Sequence, residues 1–220
     1  MIFAKIDFIN LLPFYIFLKQ NITSTQTKQI INYKKSYPAS INKKFKKKQI
    51  DAAFISSIVS KKCKCLDAGI VAKGEVLSVL SIGNETYKKD YQSDTSNALA
   101  KILELNGEVL IGDKALYYYH NTEKKDFNDL AKIWNKKYNL PFVFARLCYN
   151  KHQKSLEKLS KKFVKSKIYI PQYILDIYSQ RSGLTKSQIK HYLTKISYEI
   201  NQKEKMALKK FFTLAQKKGL

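Results

Sequence analysis

The chain has 220 residues, 45% of them hydrophobic, and a formal net charge of +24. This is enough apolar chain for one sizeable core or two small ones, and no stretch reaches the roughly 18 consecutive apolar residues of a membrane span. Of 41 basic residues only Arg146 and Arg181 are arginine, and the lysines are spread along the chain. Base readout and bidentate phosphate binding lean on the planar fork of arginine. The charge therefore reads as solvated faces, not a nucleic-acid surface, although its field would draw in a small anion.

Lys5 and Asp7 fall where the apolar region of a signal peptide should run, which points to a cytoplasmic protein with no membrane attachment. Three cysteines (Cys63, Cys65 and Cys148) in such a chain are expected to be reduced thiols. Cys63-Lys64-Cys65 is not a zinc spacing, and His120, His152 and His191 form no pair four residues apart, so no metal site is expected.

In chain order, residues 2–6 read as a strand and 13–18 as a short helix with Pro13 near its start. A second strand is expected at 30–33. Ser36 and Pro38 then open an amphipathic segment through Phe45. Residues 51–55, "DAAFI", form a short apolar run of buried, parallel-strand type, followed by Ser56-Ser57 at a helix start. Further strands are expected at 66–72 and 76–82. The pattern then repeats: a helix over 97–105 behind Ser93-Asp94-Thr95-Ser96, a strand at 109–111, and a helix from Gly112-Asp113 to about 119. A helix over 127–138 carries Leu130, Ile133, Trp134 and Tyr138 on one face, and the next strand is expected at 141–149. From His152 the pattern is helical to the end, with helices at 171–178, 186–195 and 202–216. Strands alternating with helices predict an α/β fold with mostly parallel sheets.

Where these short strands end, small hydroxyl or amide residues open the next element: Asn10, Ser56 and Ser57, Thr95 and Ser96, and Asp113. Ligands of open α/β sheets sit at the carboxyl ends of strands, where helix N-termini offer free N–H groups and a positive dipole end. These positions could form a neutral, donor-rich cradle for a carboxylate. Ser, Thr and Asp are also ordinary N-caps, and an acid such as Asp113 suits a structural role better than contact with an anion. Asn10, set in the apolar stretch "KIDFINLLPF", is either satisfied by a turn or kept for a ligand.

"IDFINLLPF" (6–14) resembles the "SYLNTLPF" opening of chorismate dehydratases, the first enzymes of the futalosine route to menaquinone. "PASIN" (38–42) is similar to "PSxLN", "IDAAFISS" (50–57) to "LDVAPISS", and "SVLSI" (78–82) to "SVLLF". "SDTSNALAKIL" (93–103) resembles "SRTSVALLKVL", "IGDKAL" (111–116) matches "IGDxAL", and "WNKKYNLPFVFA" (134–145) is similar to "WxxxTGLPFVFA". The blocks keep family order over roughly residues 1–150. The resemblance implies a two-lobed, type II periplasmic-binding-protein-like α/β fold, with residues 1–84 and part of 171–220 in lobe I. Residues 85–170 would form lobe II, and the ligand cleft would lie between the lobes.

The implied reaction is dehydration of chorismate to 3-[(1-carboxyvinyl)oxy]benzoate, with no cofactor. Carried over by position, Asn10 would hydrogen-bond the departing hydroxyl or the reacting ring. Ser56, Ser57, Thr95, Ser96 and, from the same pattern, Ser78 would hold the substrate's carboxylates. None of these motifs contains an obvious general base. Two alternatives stay open: the later enzyme of the same route, 1,4-dihydroxy-6-naphthoate synthase, and a non-catalytic carboxylate-binding protein. Oligomeric state is not legible.

Overall fold

A computed structural model describes residues 1–22, 34–83, 85–123 and 126–220; the strand expected at 30–33 lies outside them. The described strands are β1 (Ala52–Ser56), β2 (Cys65–Ala72), β3 (Val79–Ile82), β4 (Glu108–Ile111), β5 (Phe127–Asp129), β6 (Phe142–Tyr149) and β7 (Ile196–Glu199). They form a four-stranded sheet of order β1-β6-β2-β7 and a three-stranded sheet of order β4-β3-β5. The described helices are α1 (Leu12–Asn21), α2 (Pro38–Lys46), α3 (Ser57–Ser60), α4 (Asp94–Leu103), α5 (Gly112–Asn121), α6 (Leu130–Tyr138), α7 (Gln153–Lys165), α8 (Gln172–Ser182), α9 (Lys186–Thr194) and α10 (Gln202–Lys217).

The expected mostly parallel pairing is corrected: every ladder between these strands is antiparallel. The reason is intercalation. β1 and β2 run the same way, as do β4 and β5, but β6 and β3 respectively lie between them and run against both neighbours. Parallel pairing appears as isolated bridges, Phe3 to Ala52 and Lys5 to Lys35, where a full strand over 2–6 was expected.

β3 pairs into the second sheet and β6 into the centre of the first, because the chain crosses from one sheet to the other before β3 and returns before β6. The helical run expected after His152 is broken by β7, which covers the free edge of β2. The expected helix at 127–138 begins instead as β5, and Asp129 ends the strand and caps α6 by accepting the Lys132 N–H at 3.0 Å.

Local chemistry explains the elements. Ser93 caps α4 by accepting the Ser96 N–H at 3.1 Å, and Asn201 with Glu204 forms a capping box on α10. The Phe14 ring meets those of Phe54 and Phe163 edge-on, at 4.9 and 5.0 Å, joining α1, β1 and α7. Trp134, fully buried, packs on Phe142 and Phe211 and donates its indole N–H to the Pro141 carbonyl. Each such ring contributes on the order of 2–3 kcal/mol through burial. Gly69 on β2 is required by the approach of β6, since a Cβ there would lie 2.4 Å from the Ala145 carbonyl oxygen.

The insertion of β6 beside β2 also sets Cys65 opposite Cys148, with their Cα atoms 3.9 Å apart and the two joined in a disulfide. The expectation of three reduced thiols is overturned at this pair; Cys63 is free. Among the described residues no helix is long and apolar enough to cross a membrane.

Candidate functional site

A narrow cleft, with a free volume of only about 50 Å³, lies between the two sheets. It is walled mainly by apolar groups with a few polar ones among them, the usual make-up of a small-molecule site. The apolar walls include Phe8, Phe54, Ile70, Val79, Ile111 and Phe144. The polar lining comes from Asn10, Ser56, Ser78, Ser93 and Ser96, and no lining side chain among the described residues is charged. Four of the six residues expected from sequence therefore meet here: Asn10, Ser56, Ser78 and Ser96.

Asn10 sits in a 3₁₀ turn (Ile9–Leu11) between the extended N-terminal segment and α1. The turn is pinned from three sides. Leu11 N–H donates to the Phe8 carbonyl, Ile9 N–H donates to the Asp113 carboxylate at 3.1 Å, and the Tyr198 hydroxyl donates to the Asn10 carbonyl at 2.6 Å. The backbone of the turn is thus satisfied without the Asn10 side chain. That side chain keeps a buried Oδ1 with no hydrogen-bond partner, a costly state that marks an atom held for something else.

Ser56 closes β1. The Asn42 amide donates to its Oγ at 2.8 Å and to the Asp94 carboxylate at 2.9 Å, while Asn42 Oδ1 accepts the Ser56 N–H. Asn42, 2% exposed, thereby ties the end of β1 to the start of α4. The sequence reading gave it no role. Its signal was an amide on the buried face of α2 beside Ile41 and Phe45.

Ser78 ends the crossover into β3. The two residues before it, Val76 and Leu77, donate their N–H groups to the Asp129 carboxylate at 2.9 and 2.7 Å. Burial raises the Asp129 pKa above the ordinary carboxylate value, opposed by these N–H donors. The Ser78 carbonyl accepts the Gly112 N–H at 2.8 Å, and its Oγ accepts the Tyr192 hydroxyl at 2.8 Å. Ser96 lies in the first turn of α4, and its Oγ accepts from Ser93 at 2.8 Å. The N-terminal turns of α4 and α5 therefore both border the cleft, and both favour negative charge.

Ser57 and Thr95 stand outside the lining. The Ser57 hydroxyl, fully buried, donates to the Val143 carbonyl at 2.6 Å, tying α3 to β6. Thr95 Oγ1 accepts the Ile58 N–H at 3.3 Å and joins α4 to α3. The Ser57 proton and the Thr95 oxygen thus serve backbone groups of β6 and α3, which need such partners.

Next in sequence to the lining residues Phe8 and Gly112, Asp7 and Asp113 both accept from Arg181, at 2.8 and 2.6 Å. Burial raises the Asp113 carboxyl's pKa, against the pull of Ile9 N–H and Arg181. Burial also works on Asp7, but Lys35, Lys5, Tyr178 and Arg181 together hold it far below the ordinary range. Asp113 is a structural strut, as its charge suggested. No histidine lines the cleft among the described residues, and no cluster of three or more His, Cys, Asp or Glu is assembled among them.

The profile of a family described as "Menaquinone biosynthesis" matches residues 1–106 and 85–217. A chorismate dehydratase of Campylobacter jejuni subsp. jejuni serotype O:23/36 (strain 81-176) is 47% identical over 214 residues, 96% of each chain. A crystal structure from Archaeoglobus fulgidus superposes with a TM-score of 0.70 at 15% identity, covering 99% of this chain and 97% of that one. A Candida albicans protein described as having the generic periplasmic binding protein structural fold gives 0.50 at 12% identity, over 97% and 89%. These likenesses establish the expected two-lobed, type II periplasmic-binding-protein-like fold.

Proposed function

Because this chain belongs to the menaquinone-biosynthesis family, we propose that it is a chorismate dehydratase. It converts chorismate to 3-[(1-carboxyvinyl)oxy]benzoate and water, the first step of the futalosine route. The observation that carries this reading is the 47% identity to a chorismate dehydratase over nearly the whole of both chains. The four-stranded sheet forms the core of one lobe and the three-stranded sheet that of the other.

The cleft suits the chemistry. The C4 hydroxyl and a ring proton leave as water and the ring becomes aromatic, so the protein mainly has to orient the substrate and keep water out. The apolar walls accept the ring, and the Ser56, Ser78 and Ser96 hydroxyls with the α4 and α5 N-terminal turns hold the carboxylates. Asn10 faces the reacting hydroxyl. Ser57 and Thr95 support the cradle from behind, through β6 and α3. No cofactor is required on this reading, the proton goes to the substrate's own enolpyruvyl carboxylate, and the enzyme works in the cytoplasm.

The naphthoate synthase alternative calls for a base, typically a histidine, and the described cleft lining, which holds no histidine, weighs against it. The test is incubation of purified, folded protein with chorismate, with products followed by chromatography and mass. Conversion with loss of one water is expected; unchanged chorismate refutes the assignment, and binding without turnover would favour a carboxylate-binding protein.

A further inference from the structure

Asn42 stands in the interior of α2 and is buried. Asparagine is a poor helix former, because its side chain competes for backbone groups, and a buried amide is costly unless it is paired. Here the oxygen and both amide protons are engaged. Oδ1 accepts the Ser56 N–H at 3.2 Å, while the NH₂ donates to Ser56 Oγ at 2.8 Å and to the Asp94 carboxylate at 2.9 Å. One amide thus holds both the backbone and the side chain of Ser56. Ser56 lines the cleft; Asn42 does not, and acts from behind it.

The backbone gives these bonds their direction. An N–H can only donate, so the atom facing Ser56 N is the amide oxygen, and the nitrogen is turned to Ser56 Oγ and Asp94. The amide nitrogen can only donate in its turn, so Ser56 Oγ accepts there and keeps its own proton. With one lone pair taken, the O–H turns away from the amide and is left for another acceptor. A carboxylate is such an acceptor, and a hydrogen bond to an ionised group is roughly twice as strong as a neutral one. Asp94, in the first turn of α4, fixes the second amide proton. α4 lies in the chain between β3 and β4 of the three-stranded sheet, whereas Ser56 ends β1 of the four-stranded one. The amide therefore joins the parts of the chain that build the two sheets.

We propose that Asn42 is a positioning residue: anchored by Asp94, it makes the Ser56 hydroxyl a fixed donor to a carboxylate of the ligand in the cleft. This rests on the dehydratase reading for the ligand, chorismate, whose two carboxylates need donors in a lining that carries no charged side chain among the described residues. Without the amide the hydroxyl is free to rotate, and the ligand loses a preorganised donor.

The test is Asn42→Ala in the full chain, alongside Ser56→Ala and the double variant N42A/S56A. With chorismate, KM should rise about 5- to 20-fold in Asn42→Ala, part of the worth of a hydrogen bond to a charged group. Its kcat should stay within about threefold, as when binding common to ground and transition states is lost. In the Ser56→Ala background, adding Asn42→Ala should change KM by less than about twofold, because the amide acts through the hydroxyl. An equal rise in both backgrounds overturns the proposal. So does a lowered Tm with KM unmoved, which would leave Asn42 as a tie between β1 and α4 only.

If Asn42→Ala fails to fold, Asp94→Ala frees the amide from its exposed end. KM should then rise about threefold or more, again only where Ser56 is present, and an unmoved KM overturns the proposal. Calorimetric titration with chorismate separates this inference from the dehydratase reading. Wild type that binds chorismate without converting it refutes the dehydratase, while the same pattern of variants read in Kd still supports the positioning of Ser56. Wild type that neither binds nor converts chorismate refutes both.

Discussion

Gly112→Ala tests how tightly the cleft wall is built. Gly112 opens α5 with φ +64°, and a Cβ there would lie 3.0–3.1 Å from Cε1, Cδ1 and Cζ of the Phe8 ring. Left-handed backbone costs a residue with a Cβ about 1–2 kcal/mol, and forcing a packed ring aside costs about 1–3 kcal/mol. The total is about 2–5 kcal/mol, which for a chain of this size lowers Tm by about 6–15 °C. The Phe8 ring, pushed out of place, alters the wall facing the substrate, so KM should rise with the loss of stability. Thermal unfolding by circular dichroism and steady-state kinetics with chorismate measure the two effects. The steric share is isolated in a Phe8→Ala background, where adding Gly112→Ala should cost only the backbone part, about 1–2 kcal/mol. A Tm within about 2 °C of wild type in the single variant, or an equal cost in both backgrounds, refutes the packing argument.

Asn10→Ala should cut kcat by about 100-fold with Tm nearly unchanged, because the backbone of its turn is held by Phe8, Asp113 and Tyr198 rather than by its own amide; matched losses of activity and stability would return it to a structural role. Ser57→Ala should lower stability by about 1–2 kcal/mol, seen in urea unfolding, through its lost bond to Val143. Its KM should stay near wild type, and a raised KM without destabilisation would put Ser57 back in contact with substrate. Asp7 has a folded-state pKa far below its unfolded value, so its ionised form stabilises the fold above the ordinary carboxylate range, and that stability is lost as pH falls below it. Tm measured from pH 6 to 3 should therefore fall less steeply in Asp7→Asn than in wild type, and equal slopes would count against the Arg181 and lysine contacts.

Local patterns carried much of the fold. Pro13 marked α1, the run Ser93–Ser96 marked the approach to α4, which begins at Asp94 and not at 97, and the apolar run "DAAFI" overlaps the buried β1, Ala52–Ser56. What failed was pairing, because nothing within Val79–Ile82 or Phe142–Tyr149 tells which sheet will take the strand. That choice depends on crossovers longer than any sequence window, and the disulfide between Cys65 and Cys148 came with it. In the cleft, the sequence pattern placed hydroxyl residues at strand ends but could not tell Ser57 and Thr95, which lie outside the lining, from Ser56 and Ser96, which border it. The difference lies in which nearby backbone groups need a partner, Val143 for Ser57 and Ile58 for Thr95. Tyr192 and Tyr198 left no local trace, since a phenol on an amphipathic helix or strand looks like core until its distant acceptor is known.

The position of β6 governs how the chain can acquire its fold as it is made. β1 and β2 are in hand early, yet they touch only through a strand that begins seventy residues after β2 ends. Until then each shows an unpaired edge, the kind of surface that invites association between chains. The first sheet must wait for the second to be threaded and for the chain to come back, and its outer edge waits longer still, for β7. The early half of the protein thus has no independent fold to reach. Its assembly is dominated by contacts distant in sequence, the regime of slow folding and of aggregation-exposed intermediates.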